Sequence, residues 1–373
     1  MKILICSDQP MVRELGISKV LVELADELPA LGWSCEIFGP ERLRGGVSDG
    51  KNFARVLALH LEKHGGEYDV VDYPAVHLPE PVARFHPRTL FVARSALLHL
   101  HFQSIRLPWP RPLRSKLATL MRWLGNRARL KDTVSRTERT MAAADLINVN
   151  NDADRTLLIA RGVSPAKIVV LPLGIDRKRR ARFDAIAIAP PSDSRIVFIG
   201  TFDHRKGEVD LPLLLEQICD AVPNASLRLL GTGRARSRVL DYFPRALRDR
   251  VEVIPSFAAD QLPALLADCA IGLFPSHLEG FGLGVLEMLA AGVPVLAYDV
   301  PGPPMMLSPA YLVKRGDAFE MGRRAISLLD DRGELARARV WAKERSQKFD
   351  WPAIARATVE IYSQRLQEKR RVS

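Results

Sequence analysis

The sequence predicts an α/β protein built as two doubly wound halves, and three stretches carry that prediction. Residues 2–38 read as strand, helix, strand: an apolar run at Lys2–Ser7, helical apolar spacing from Lys19 to Leu28, and a second β-run at Trp33–Phe38. The pattern restarts with a strand at Arg195–Gly200. Late in this second half, the short apolar run Cys269–Phe274 leads through a glycine-rich turn into Val285–Ala291, rich in helix formers and stopped by Gly292-Val293-Pro294.

The other elements follow in order. Asn52–His64 reads as a helix, and Tyr68–Asp72 and Leu90–Ala93 as strands. After the rigid entry Pro108–Pro112, a helix is expected over Leu113–Leu124, a second over Arg136–Ala144 and a short third over Asp152–Arg161. Leu146–Asn150 is a strand, and Ile168–Asp176 closes the first half. Arg177–Ser194, charged and then Ala/Pro-rich, suits a linker. Beyond it, Ser226–Leu230, Val251–Ile254 and Pro294–Tyr298 are strands, and the chain ends in helices.

The turn after Phe274 holds Gly280, Gly282 and Gly284, three glycines in five residues. A strand, such a turn and a helix N-terminus make an anion site, because the amides of Phe281, Gly282, Leu283 and Gly284 point outward and the helix dipole favours negative charge. Glu279 and Glu287 bracket that site with seven residues between them. If the helix begins near Gly282 to Gly284, Glu279 lies on the loop and Glu287 about a turn into the helix. Carboxylates accept hydrogen bonds from hydroxyls and are poor phosphate ligands. One acid for a ribose, one for another polyol and amides for phosphate point to a nucleotide-sugar. The plainer alternative is a capped helix with two solvent-facing glutamates.

The run Phe274–Pro294 resembles the signature of the retaining glycosyltransferases of family four, which have the GT-B fold: two Rossmann-like doubly wound domains facing across a cleft. The shared features are Pro275-Ser276, the acid Glu279, Gly280-Phe281-Gly282, a second acid at Glu287 and a small-residue helix ending in Gly292-Val293-Pro294. The resemblance implies that Glu279 binds the donor sugar and Glu287 the nucleotide ribose. It also implies that Lys206, before Gly207, holds the donor diphosphate. The family's partner arginine position is Thr201 here, with Arg205 as the substitute. Gly16 stands for the two loop glycines that family members place beneath the phosphates. At the end of the Leu90–Ala93 strand the family's sugar-contacting histidine falls on Ala96, which leaves Arg94, His99 and His101 as candidate sugar or acceptor contacts.

By the same resemblance, residues 1–180 form the acceptor domain, 194–347 the donor domain, and 348–373 a helix packing back on the first. The implied reaction moves a sugar from a nucleoside-diphosphate sugar to a hydroxyl of a glycan or lipid-linked acceptor, with retention, without metal and without a covalent nucleophile. Two alternatives stay open: a non-catalytic nucleotide-sugar-binding, membrane-associated subunit, and a related GT-B epimerase or phosphorylase.

Composition sets the outer bounds. The 373 residues suffice for two domains, and 47% hydrophobic with 26% charged residues is typical of a soluble globular protein. No apolar run reaches the roughly 18 residues of a membrane span, and Met1–Asp8 reads as a first strand rather than a signal peptide. Cys6, Cys35, Cys219 and Cys269 are scattered without metal-ligand spacing, so reduced thiols in a cytoplasmic setting and no bound metal or cofactor are expected. The net charge of +11 is concentrated: residues 81–131 hold eleven basic side chains and no Asp or Glu. A basic amphipathic helix within residues 104–131 fits an anionic membrane surface, on the inner face, as well as it fits an ordinary core-facing helix. No nucleic-acid recognition motif accompanies the charge, and no nucleic-acid partner is expected.

Overall fold

The computed structural model describes residues 1–11, 16–42, 50–104 and 116–372. They form two compact units, Met1–Pro172 with Pro352–Ser373, and Leu173–Trp351.

The first unit contains β1 (Lys2–Cys6), α1 (Gly16–Glu27), β2 (Ser34–Phe38), α2 (Gly50–His64), β3 (Val70–Pro74), β4 (Leu90–Ser95), α3 (Lys116–Ala143), β5 (Leu146–Val149), α4 (Asp152–Ala160) and β6 (Ile168–Val170). Its sheet is parallel throughout, in the order β2-β1-β3-β4-β5-β6. Such strands have both faces covered, which is why β4 and β5 are buried at every position. Phe38, Phe53, Tyr73 and Phe91 are the large side chains of this core.

One expectation fails here. The two helices read at 113–124 and 136–144 are a single helix, α3, of 28 residues. Gly125 costs about 1 kcal/mol in a helix interior but does not end it. Val134, Thr137 and Met141, at i, i+3 and i+7, bury its later turns. The amphipathic stripe expected on Leu113–Leu124 lies outside the described side chains.

The second unit contains α5 (Arg177–Asp184), β7 (Arg195–Ile199), α6 (Asp210–Ala221), β8 (Ser226–Leu230), α7 (Arg236–Leu240), β9 (Val251–Ile254), α8 (Leu262–Leu266), β10 (Ile271–Phe274), α9 (Leu283–Ala290), β11 (Val295–Asp299), β12 (Leu312–Lys314), α10 (Ala318–Asp330) and α11 (Arg332–Ser346). The parallel order is β12-β11-β10-β7-β8-β9. Counting outward from β7, the chain winds first to β8 and β9 and then returns to β10, β11 and β12. The direction of winding reverses between β7 and β10, and in doubly wound sheets ligands bind outside the strands' carboxyl ends at that reversal.

The stretch 177–194, expected as a linker, opens with α5 instead. Asp176 caps it by accepting from the Lys178 and Arg179 amides at 2.9 and 3.0 Å. Phe183 is fully buried in the second core and Arg179 is buried too. The division between units accordingly falls after Pro172, not near residue 180.

The last helix, α12 (Trp351–Val372), crosses to the first unit. There the Tyr362 hydroxyl donates to Asp72 Oδ2 at 2.9 Å, and Lys369 Nζ reaches Asp145 Oδ2 at 2.5 Å. Among the described residues no helix is long and apolar enough to cross a membrane.

Candidate functional site

The two loops that flank the winding reversal of the second sheet touch each other. The loop after β7 ends at Gly207, whose φ is +84°; a Cβ there would stand 2.4 Å from the Pro275 carbonyl of the loop after β10. A side chain would therefore push the loops apart and strain the backbone. Across the same seam the His277 amide donates to the Arg205 carbonyl at 2.7 Å. Asp203 accepts from the Lys206 amide at 3.2 Å and so fixes the tight turn His204–Lys206.

That seam sets three charged side chains together. Lys206 Nζ donates to Glu279 Oε1 and stands 5.0 Å over the Phe274 ring. Arg205 Nη1 lies 3.4 Å from the same carboxylate oxygen and donates to the Leu278 carbonyl at 3.1 Å. Glu279 is only 6% exposed. A carboxylate so far from water needs compensating charge, and the two cations provide it. Thr201, at the family's arginine position, turns its hydroxyl to Asp203 Oδ2 at 2.6 Å.

The glycine-rich turn then delivers the helix N-terminus. Gly282 takes the cap position of α9 at φ +91°, a backbone that other residues enter only with strain. The amides of Val285 and Leu286 turn back to the Gly282 carbonyl, leaving those of Leu283 and Gly284 ahead of the helix's own ladder. The Phe281 ring is buried edge-on against Phe349, centroids 5.8 Å apart, so only its backbone faces this turn.

Glu287, the fifth residue of α9, is also 6% exposed. Arg179 Nη1 donates to its Oε1 at 2.9 Å. Arg179 is in turn clamped by Asp176, whose Oδ2 accepts from its Nε at 2.6 Å. Sequence reasoning misses Arg179 because its segment reads as a linker. The signal was present: an acid at a helix cap with an arginine three residues on is an i, i+3 pair.

The first-unit candidates lie at or just past the carboxyl end of β4. Arg94 donates from its guanidinium to Asp72 and to the Cys6 carbonyl, the latter at 2.9 Å. Burial pushes the Asp72 carboxyl up, against the opposing effects of Arg94 and Tyr362. His99 and His101 occupy a 3-10 helix, not a strand, and diverge. His101 Nε2 bonds Asp154 Oδ1 at 2.7 Å, whereas His99 Nδ1 is 3.4 Å from the Thr137 hydroxyl. Burial lowers the His99 pKa below its ordinary 6.5 and raises that of Asp154. Gly16 is the first residue of α1. Among the described residues no three His, Cys, Asp or Glu side chains are grouped to hold a metal ion.

Comparison with known proteins agrees with this picture. Residues 180–346 match the family described as glycosyl transferases group 1. The D-inositol 3-phosphate glycosyltransferase of Kineococcus radiotolerans is 28% identical over 62% of this chain; the chain spans 60% of that relative's length. The sucrose-phosphate synthase of Thermosynechococcus elongatus superposes with a TM-score of 0.74 at 21% identity, covering 97% of this chain and 98% of its own. HepE of Anabaena, crystallised with UDP and glucose, gives 0.66 at 17% identity, with 98% and 100% covered. These likenesses identify the fold as GT-B. Over residues 180–346, then, the chain is similar in sequence to the glycosyl transferases group 1, and its fold is GT-B.

Proposed function

We propose that the protein transfers a sugar from a nucleoside-diphosphate sugar to a hydroxyl of a glycan or lipid-linked acceptor, with retention and without a metal. The observation that carries the reading is the placement of Arg205 and Lys206 against Glu279 at the winding reversal, beside the leading amides of α9. The name of the Kineococcus relative supports glycosyl transfer, and the UDP and glucose in the HepE structure support the donor class.

The chemistry follows from charge. Bond cleavage at the sugar leaves a diphosphate whose negative charge grows in the transition state. Arg205, Lys206 and the amides of Leu283 and Gly284 are fixed donors for that charge and need no rearrangement as it develops. Glu279 keeps the two cations in place and accepts from hydroxyls of the donor sugar. Glu287 accepts from the ribose. The acceptor hydroxyl attacks the anomeric carbon from the side the diphosphate leaves, and its proton passes to the departing phosphate oxygen.

An anionic membrane surface as partner of residues 104–131 and a cytoplasmic site at the membrane's inner face belong to the same proposal. The test begins with thermal shifts in UDP-, GDP- and ADP-sugars, where a ligand at 100 times its Kd adds about 2.7 kcal/mol of stability. Release of the nucleoside diphosphate is then followed with and without glycan or lipid-linked acceptors. Acceptor-dependent release bears the reading out; a sugar nucleotide that binds and is never consumed overturns it in favour of a binding subunit.

A further inference from the structure

We infer that Arg179 is a positioning residue for the nucleotide: held by Asp176, it fixes the direction of the Glu287 carboxylate, and so sets the protein's preference for a ribose over a deoxyribose. The inference rests on the reading above, in which Glu287 receives the ribose hydroxyls.

A carboxylate is acceptor-only and has two oxygens to offer the ribose hydroxyls. Glu287 has the wrong surroundings for this by itself. Its side chain is 8% exposed and sits in a helix whose neighbours Val285, Leu286, Met288, Leu289 and Ala290 are buried and apolar. A lone charge in such a place is neutralised or forced out. Arg179 Nη1, itself on a side chain 9% exposed, meets Oε1 at 2.9 Å and sets a positive charge against it.

The guanidinium is aimed from its other edge. Asp176 Oδ2 accepts from Arg179 Nε at 2.6 Å, while Asp176 Oδ1 caps α5 through the Lys178 and Arg179 amides. One aspartate thus locks both the helix start and the arginine's planar fork, and a planar fork held on one edge presents the other in a fixed direction. Asp176, Arg179 and Glu287 form a relay across 111 residues of sequence, from the segment just after the unit boundary to the signature helix. Lysine, a point charge on a flexible stem, would keep the charge but lose the aim.

The probes are UDP, GDP and ADP with their 2′-deoxy counterparts, titrated into the full-length protein, wild type, Arg179→Gln, Arg179→Lys and Asp176→Asn. The wild type is expected to hold the ribonucleotide it prefers about tenfold more tightly than the deoxy form. In Arg179→Gln that ratio falls toward one, chiefly through weaker ribonucleotide binding; Arg179→Lys recovers part of it. Asp176→Asn keeps a capping oxygen but removes the clamp's charge, and also lowers the ratio, so the test stands even if Arg179→Gln folds poorly. A merely structural arginine would lower Tm and leave the ratio untouched, which overturns the inference while sparing the role of Glu287. A wild type that binds both forms equally, or binds none of the three nucleotides, overturns the ribose role of Glu287 and the inference with it.

Discussion

Lys206 and Glu279, 73 residues apart in sequence, form an ion pair across two loops that begin at neighbouring strands, β7 and β10. In the proposed reaction the cation faces the leaving diphosphate and the carboxylate the hydroxyls of the donor sugar. Lys206→Ala is expected to lower kcat by about 10²–10³-fold, the usual cost of one preorganised donor to developing charge. Arg205 still faces Glu279 in that variant, so a cooperative thermal transition survives. Turnover near the wild-type value, measured by nucleoside diphosphate release, would refute the role of Lys206.

Gly207 makes that pairing geometrically possible. At φ +84°, an added Cβ costs about 1–2 kcal/mol for the left-handed backbone, before its clash with the Pro275 carbonyl at 2.4 Å is relieved. Gly207→Ala should lower Tm by several degrees, since 1 kcal/mol is worth about 2–4 °C in a unit of this size. It should also weaken donor binding, because relief of the clash moves the Lys206 turn away from Glu279. Isothermal titration beside a thermal scan checks both; intact donor affinity with a lowered Tm would separate the seam from the site.

How much of this was legible in the sequence differs from element to element. The strand–turn–helix around Glu279 was legible because buried parallel strands are short apolar runs and glycines mark the tight turn. Arg205 and Lys206 were legible only through resemblance: nothing in local spacing says that the β7 loop meets the β10 loop, since that follows from the order in which strands enter the sheet. Arg179 was hidden by composition. Its helix, Arg177–Asp184, turns chiefly Phe183 to the core and shows no apolar stripe. Arg94 is a related case: its position at a strand end is visible in sequence, but its buried partner Asp72 sits on another strand, 22 residues away. The single helix α3 reads as two in the sequence because the packing that buries Val134, Thr137 and Met141 and carries it through is tertiary.

His99 gives a pH signature in the first unit. Burial is the main cause of its lowered pKa; Asp8 acts in the opposite sense and His77 in the same one. A folded pKa below the ordinary 6.5 means that folding favours the neutral ring. Its contribution to stability is present above 6.5 and is lost as pH falls through the lowered folded value. His99→Gln removes that dependence, so the Tm difference between wild type and variant should narrow between about pH 7.5 and 5. His60, also lowered by burial, stays in both proteins and cancels from the comparison. A difference that stays constant over this range would mean that His99 does not titrate differently on folding.

Tyr362 tests the attachment of α12. Its hydroxyl donates to Asp72 Oδ2 at 2.9 Å and accepts from Asn148 Nδ2 at 3.0 Å, all three groups being buried. Tyr362→Phe removes a donor from a fully buried carboxylate and a partner from the Asn148 amide, a loss of about 1–3 kcal/mol. Burial already raises the Asp72 pKa above 3.8, with Arg94 and Tyr362 pulling it down. A raised folded pKa means stability that is present below the ordinary carboxylate value and lost as pH rises through the folded one. Without the tyrosine's hydrogen bond the folded pKa climbs further. The variant should therefore be destabilised most at neutral pH and approach the wild type as the medium becomes acidic and Asp72 is protonated in both. Urea unfolding at pH 7 and at pH 5 measures this directly. A destabilisation that grows toward acid would show that Asp72 gains nothing from Tyr362 as a carboxylate.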